Sequence, residues 1–294
     1  MTPGKIKLAR LITILILFPC IVCLVSISAA GSRTAPPAEG FANDLDAFMS
    51  KVLKKRAIDK DRLRDYVCSE TEELEITGEE MAALESFHRE YVWFVRNGYL
   101  VRSPVRINGV KLSAEEQKSA EDEWIKNQKQ GKRGYNLDRE SFFGFKFEPG
   151  RYLYAGEQQF EGRKVLEIEY CPKIDKNRKP EMKDDMVKAF EKSILVTMLI
   201  LPEEHQIVQM TFDNVSLDFL PVRWLVRLND VKASLIMDKP LGDVWLPREV
   251  SVYGSLSTAN MDLAAKYSRK FFSYRKTDVK VKLWYEPDKT QTTE

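Results

Sequence analysis

The feature that most limits how this 294-residue chain can fold is the alternation of apolar and polar residues in its second half. Leu166, Ile168 and Tyr170 alternate with Glu167 and Glu169. Val208, Met210 and Phe212 alternate with Gln209, Thr211 and Asp213, and Val279, Val281, Leu283 and Tyr285 with Lys280 and Lys282. Successive side chains of a strand point to opposite faces, so these runs read as half-buried antiparallel strands. Gly156 to Gly162, Pro202 to His205 and Lys239 to Asp243 are short polar connections that read as hairpin links. The expected fold class is therefore mainly β with few helices (α+β), built as a meander and not from βαβ units.

Upstream, Tyr66 to Ile76 looks extended but acidic, which suggests a strand with one solvated face. Glu70, Glu72, Glu73, Glu79 and Glu80 are read as solvated charges on that strand and the adjoining surface. Glu90 to Arg106 is a longer β-rich run in which Val92, Trp93, Phe94 and Val95 are apolar on both faces, so it is covered on both sides or borders a cavity. Phe41, Leu45, Phe48, Met49, Val52 and Leu53 recur at three- and four-residue intervals and predict a helix over Phe41 to Arg56, with Asn43 or Asp44 as N-cap. Ser113 and Glu116 form a capping-box pattern opening a surface helix that runs through Trp124 to Gly131. Met182 to Lys192 reads as a short helix leading into the apolar strand Ile194 to Leu201.

The N-terminus has a different character. Lys5, Lys7 and Arg10 precede an uncharged apolar run from Leu11 to about Ile27, followed by Ser28-Ala29-Ala30-Gly31. This is the pattern of a secretion signal, with an uncleaved membrane anchor as the other reading of the same residues. The residues before Cys20 and Cys23 are not the small pair that lipid attachment requires. The expected organisation is a signal peptide over residues 1–30, a linker over 31–40 containing Pro36 and Pro37, one domain over 41–286, and a polar tail over 287–294. The expected location is the periplasm. Loss of three cations with the signal takes the formal charge from +2 to −1, which removes the support that a basic pI would lend to nucleic-acid binding. Cys68 and Cys171 would remain in an oxidising compartment, either as a disulfide or as two buried free thiols.

Chemical motifs are absent. The two histidines, His88 and His205, stand in no metal-ligand spacing, and there is no nucleophile elbow, phosphate-cradling loop or dinucleotide fingerprint. No catalytic residue, metal site or cofactor is expected. Aromatic surface is abundant instead. Phe142, Phe143, Phe145 and Phe147 precede a strand carrying Tyr152 and Tyr154, and Phe219 to Leu225 is an apolar run that includes Trp224. A closed sandwich could absorb these side chains; an open curved sheet closed by helices would leave some of them lining a hollow able to hold an acyl chain.

An export segment, an amphipathic helix opening the mature chain and a long meander carrying Gly242-Asp243-Val244-Trp245-Leu246-Pro247-Arg248 together resemble the LolA/LolB-like outer-membrane lipoprotein-sorting superfamily. Val105-Arg106-Ile107-Asn108-Gly109 and Leu112-Ser113-Ala114-Glu115-Glu116 are similar to a turn and a charged helix in uncharacterised acidobacterial members. The resemblance implies a curved antiparallel half-barrel with helices over its concave face, enclosing an apolar cavity for lipid or lipoprotein acyl chains. It implies a non-catalytic carrier, with an envelope sensor or protein-interaction module as the alternative on the same fold. Candidate lining residues are Trp93, Phe145, Phe147, Phe219, Trp224 and Leu225. The expected partners are acyl chains and envelope membrane proteins, and a monomer is expected.

Overall fold

The structure is a computed structural model that describes residues 44–78, 82–130, 147, 150–172, 194–214, 226–258 and 261–277. The expected strand Val279 to Tyr285, the short helix Met182 to Lys192 and the N-terminal signal lie outside these residues. The chain starts with helix α1 (Leu45–Arg62) and one 3₁₀ turn (Leu63–Asp65), followed by strands β1 (Tyr66–Thr77), β2 (Ala83–Arg96), β3 (Tyr99–Ile107) and β4 (Val110–Lys111). Helix α2 (Ala114–Lys129) comes next, then β5 (Gly150–Phe160), β6 (Arg163–Pro172), β7 (Ile194–Leu201), β8 (Gln206–Asn214), β9 (Val226–Asp238), β10 (Leu246–Thr258) and β11 (Asp262–Lys276).

All eleven strands belong to one open sheet in the order β4-β3-β2-β1-β11-β10-β9-β8-β7-β6-β5. Every described pairing is antiparallel. The chain enters at the middle, walks outward through three hairpins to β4, crosses to the far edge at β5 and returns by a seven-strand meander. Pairing of β1 with β11 joins the two halves.

Tight turns set the register. Asn97-Gly98, Asn108-Gly109 and Glu161-Gly162 all have both residues at positive φ, between 49° and 82°. Two-residue turns of this kind match the right-handed twist of the strands they join. The expected single run from Glu90 to Arg106 is thus two strands, divided at Asn97-Gly98. The expected link from Gly156 to Gly162 is also corrected: only Glu161-Gly162 is the turn, and Gly156 is a bulge inside β5 at φ 138°. Its conformation is one that a side chain would strain.

Other bulges steer side chains inward. Between Val67 and Ser69 the register with β11 shifts by one residue, and Ser273 takes a φ of 53°. The extra residue changes the alternation on β11, so Phe271 and Tyr274, three apart, are both buried.

The edge at β3 is covered. Trp124 Nε1 and Gln128 Nε2 of α2 donate to the Leu100 carbonyl at 3.0 and 2.9 Å, and Ser103 Oγ donates to Glu121 at 2.7 Å. These bonds occupy an edge that would otherwise be open to pairing with another chain. The predicted capping box is present: the Glu116 amide donates to Ser113 Oγ at 3.2 Å and the Ser113 amide to Glu116 Oε2 at 2.8 Å. Helix α1 starts at Leu45 and runs to Arg62, further than the stripe ending at Arg56 predicts.

Candidate functional site

Two regions stand out on the face of the sheet that carries α1. The first is apolar. Leu45, Met49 and Val52 of α1 are buried in one cluster with Ile168 and Tyr170 of β6, Val196, Met198 and Ile200 of β7, Met210 and Phe212 of β8, and Leu235 and Met237 of β9. The pairings explain why these side chains share a face: Ile168 opposes Met198, Met198 opposes Met210, and Met210 opposes Leu235. Met49, Val52, Ile168, Val196, Met198 and Ile200 are 0% exposed, so no void of water size touches them.

Four methionines, Met49, Met198, Met210 and Met237, lie in this cluster. Methionine is unbranched and polarisable, and it repacks around changed neighbours more readily than branched residues do. Phe147 is half-buried against this region, edge-on to Tyr170 at 5.1 Å, with the Arg56 guanidinium 5.3 Å from its ring centre.

The second region is charged, and lies on β11, β1, β2 and β3. Glu70 is wholly buried; it accepts from Arg269 Nε at 2.6 Å, Arg102 Nη2 at 2.5 Å and Trp93 Nε1 at 2.6 Å. Glu72 accepts from the Tyr267 hydroxyl at 2.6 Å and the Tyr91 hydroxyl at 3.1 Å, and pairs with Arg102 at 3.1 Å. Arg102 also stacks 3.5 Å over the Tyr91 ring. The expectation that Glu70 and Glu72 belong to a solvated face is wrong. They point inward with Cys68, Leu74 and Ile76, and opposing guanidiniums balance their charge. Glu73, one residue off that face, is the exposed member and meets His88 Nδ1 at 3.0 Å. Glu79 and Glu80 lie outside the described residues.

The same contacts set the ionisation of the buried groups. Burial works to raise the Glu70 carboxyl, but the Arg269 and Arg102 guanidiniums outweigh it and hold the group at about 2. Burial pushes the Tyr267 hydroxyl well above its usual range, and Glu72 beside it adds to the effect. The network therefore stays ionised on its carboxylates and protonated on its phenols at neutral pH.

Of the candidate lining residues, Trp93 is 1% exposed at the boundary between the two regions, bonded to Glu70 and edge-on to Trp124 at 5.8 Å. Phe147 lies on the apolar region; Phe145, Phe219, Trp224 and Leu225 lie outside the described residues. Of the two readings of Cys68 and Cys171, the disulfide is not formed. Both keep their thiols, Cys68 buried on β1 and Cys171 half-buried on β6, with five strands between theirs in the sheet order.

Among the described residues no His, Cys, Asp and Glu cluster could hold a metal ion, and no helix is long and apolar enough to cross a membrane. A cleft of about 370 Å³ between α2 and the β2–β3 turn is lined mainly by polar residues, including Arg96, Asp122 and Lys126.

No protein-family model matches the chain, and no curated protein matches it. Similar solved structures include a domain named for outer membrane lipoprotein sorting from Vibrio parahaemolyticus. It is 9% identical with a TM-score of 0.37, over 78% of this chain and 92% of that one. A DUF1329 family protein from Desulfovibrio piger is 13% identical with a TM-score of 0.32, over 79% and 93%. A LolA superfamily protein from Nitrosomonas europaea is 10% identical with a TM-score of 0.30, over 78% and 94%. These are likenesses of fold and assign no role to a residue.

Proposed function

We propose that this chain is a non-catalytic periplasmic protein that binds lipid or lipoprotein acyl chains between α1 and the apolar half of its sheet. The carrying observation is the methionine-rich contact of Met49 with a sheet face that includes Met198, Met210 and Met237. The N-terminal segment supports export, and the resemblance of the Gly242 to Arg248 and Val105 to Gly109 motifs to lipoprotein-sorting proteins supports the ligand class. Residues 41–286 would be the binding domain, behind a signal over 1–30 and a linker over 31–40, with a polar tail over 287–294. Envelope membrane proteins would be its donors and acceptors.

Binding at this contact needs α1 to lift, because Met49 and Val52 are 0% exposed where they meet the sheet. Freeing Leu45, Met49 and Val52 from burial costs roughly 5–9 kcal/mol at about 1.5–3 kcal/mol per side chain. An incoming chain gains about 0.8 kcal/mol per buried methylene, so roughly ten methylenes are needed to offset that cost. Chain-length dependence is therefore the test. Palmitate should displace a fluorescent fatty acid from the purified protein while octanoate fails, and loss of any displacement would count against the reading. The closed packing at Met49, Val52 and Met198 favours a second reading, an envelope sensor or interaction module whose sheet face never opens. Crosslinking in cells would then recover one dominant protein and no lipid.

A further inference from the structure

The charged network has a third guanidinium that its carboxylates do not serve. Glu70 and Glu72 answer Arg102 and Arg269, and Arg89 of β2 stands directly opposite Glu72 in the register, on the same face. Glu72 is already engaged: Oε1 accepts from the Tyr267 hydroxyl, and Oε2 accepts from the Tyr91 hydroxyl and pairs with Arg102. That oxygen stays 3.9 Å from Arg89 Nη1, beyond hydrogen-bond reach. Arg89 Nε, a buried donor, meets no acceptor among the described residues. A buried donor left unmet is costly, so the position favours whatever brings it an acceptor. The next acid on this face of β2 is Glu85, four residues or about 13 Å away along the strand.

Arg89 is held in place. Its guanidinium lies 4.0 Å from the centre of the half-buried Phe87 ring, which limits how far it can swing. On its other side the register places Ile107 of β3, which shares this face and is 40% exposed. The Arg89 side chain is itself 40% exposed. A fixed cation, open to solvent and with an unused donor, thus stands between an aromatic ring and an uncovered aliphatic side chain. Guanidinium groups match the planar fork of carboxylate and phosphate oxygens, and the neighbouring apolar surface suits the first methylenes of a chain joined to such a group.

We propose that Arg89 is an anion site that takes the acid group of a ligand, a carboxylate or a phosphate, with Phe87 and Ile107 against the atoms next to it. The oxyanion gives Arg89 the partner that Glu72 cannot. The site lies on β2, away from the residues that meet α1, and it rests on the acyl-chain reading only for the chain attached to the acid group.

The test follows the Arg89 Nε–H cross-peak in nitrogen–proton NMR spectra of the full chain, assigned by its loss in Arg89→Gln. Sodium palmitate, hexadecanol and inorganic phosphate are the probes, at constant ionic strength. An anion should move the cross-peak and hexadecanol should not. Palmitate moving it while phosphate does not identifies a lipid acid group; phosphate moving it as readily identifies a free anion. In parallel, palmitate should compete for the fluorescent fatty-acid site about tenfold better than hexadecanol, and Arg89→Gln should erase that preference while leaving hexadecanol binding and the circular dichroism spectrum unchanged. A cross-peak unmoved by both anions, an equal shift with hexadecanol, or a preference for palmitate that survives Arg89→Gln would each overturn the anion site. Palmitate bound under α1 with an unmoved cross-peak would end the anion site and leave the acyl-chain reading; a phosphate-shifted cross-peak with no lipid bound would do the reverse.

Discussion

Substitution of Glu70 by glutamine is the most informative single perturbation of the buried network. Glutamine keeps the shape and can still accept from Trp93 Nε1, now 2.6 Å from the carboxylate, so packing is preserved. It removes the charge that answers Arg269 Nε at 2.6 Å and Arg102 Nη2 at 2.5 Å, leaving a surplus of positive charge in a buried site. Breaking a buried ion pair from one side costs about 3–5 kcal/mol, because the remaining charge keeps its desolvation penalty. In a domain of this size about 1 kcal/mol moves Tm by 2–4 °C, so the expected drop is roughly 6–20 °C. Urea titration followed by far-ultraviolet circular dichroism measures the first figure and a thermal scan the second. The charge-balanced pair Glu70→Leu with Arg269→Met leaves Arg102 facing Glu72 at 3.1 Å and should recover most of the loss. A Glu70→Gln loss below about 1 kcal/mol would refute the reasoning, as would a double variant less stable than the single one.

Stability should respond to acid through the same site. Glu70 is held at about 2 when folded against an ordinary 4.5, so its contribution of about 3 kcal/mol is whole above pH 4.5 and is lost as pH falls towards 2; Glu70→Gln should flatten that limb of the urea midpoint. Ser113→Ala removes the acceptor for the Glu116 amide and should cost about 1 kcal/mol, visible as faster exchange in the first turn of α2. Met210→Ala empties a fully buried position and should cost about 2–5 kcal/mol, and should weaken palmitate binding more than Leu153→Ala on the exposed side of β5. In a chain lacking residues 1–30, thiol titration should find two reactive groups in denaturant, with Cys171 reacting in the native protein well before the buried Cys68.

Local patterns carried much of the fold. Alternation at Leu166 to Tyr170 and Val208 to Phe212 placed β6 and β8, and Ser113 with Glu116 placed the start of α2, because each signal spans only a few residues. Asn97-Gly98 was a legible hairpin signal within the run from Glu90 to Arg106, masked by apolar residues on both of its faces. The charged network was not legible. Alternation puts Glu70 and Glu72 on one face of β1, but whether that face is wet depends on Arg102, 32 residues away, and Arg269, 199 residues away. Only the pairing of β1 with β11 brings the latter into register, and no local property of either segment announces it. The same limit applies to Asp59, whose burial follows from the docking of α1 on β8 and not from its neighbours in sequence.

The most direct test of the account is photo-crosslinking of the full chain with a diazirine-bearing palmitate, with adducts mapped by peptide mass spectrometry. The account predicts adducts within residues 45–62 and on the β7 and β8 peptides that carry Met198 and Met210, suppressed by excess unlabelled palmitate. Adducts confined to exposed residues such as Phe272 or Leu153, or none that palmitate suppresses, would contradict the claim that α1 and the apolar half of the sheet hold the acyl chain.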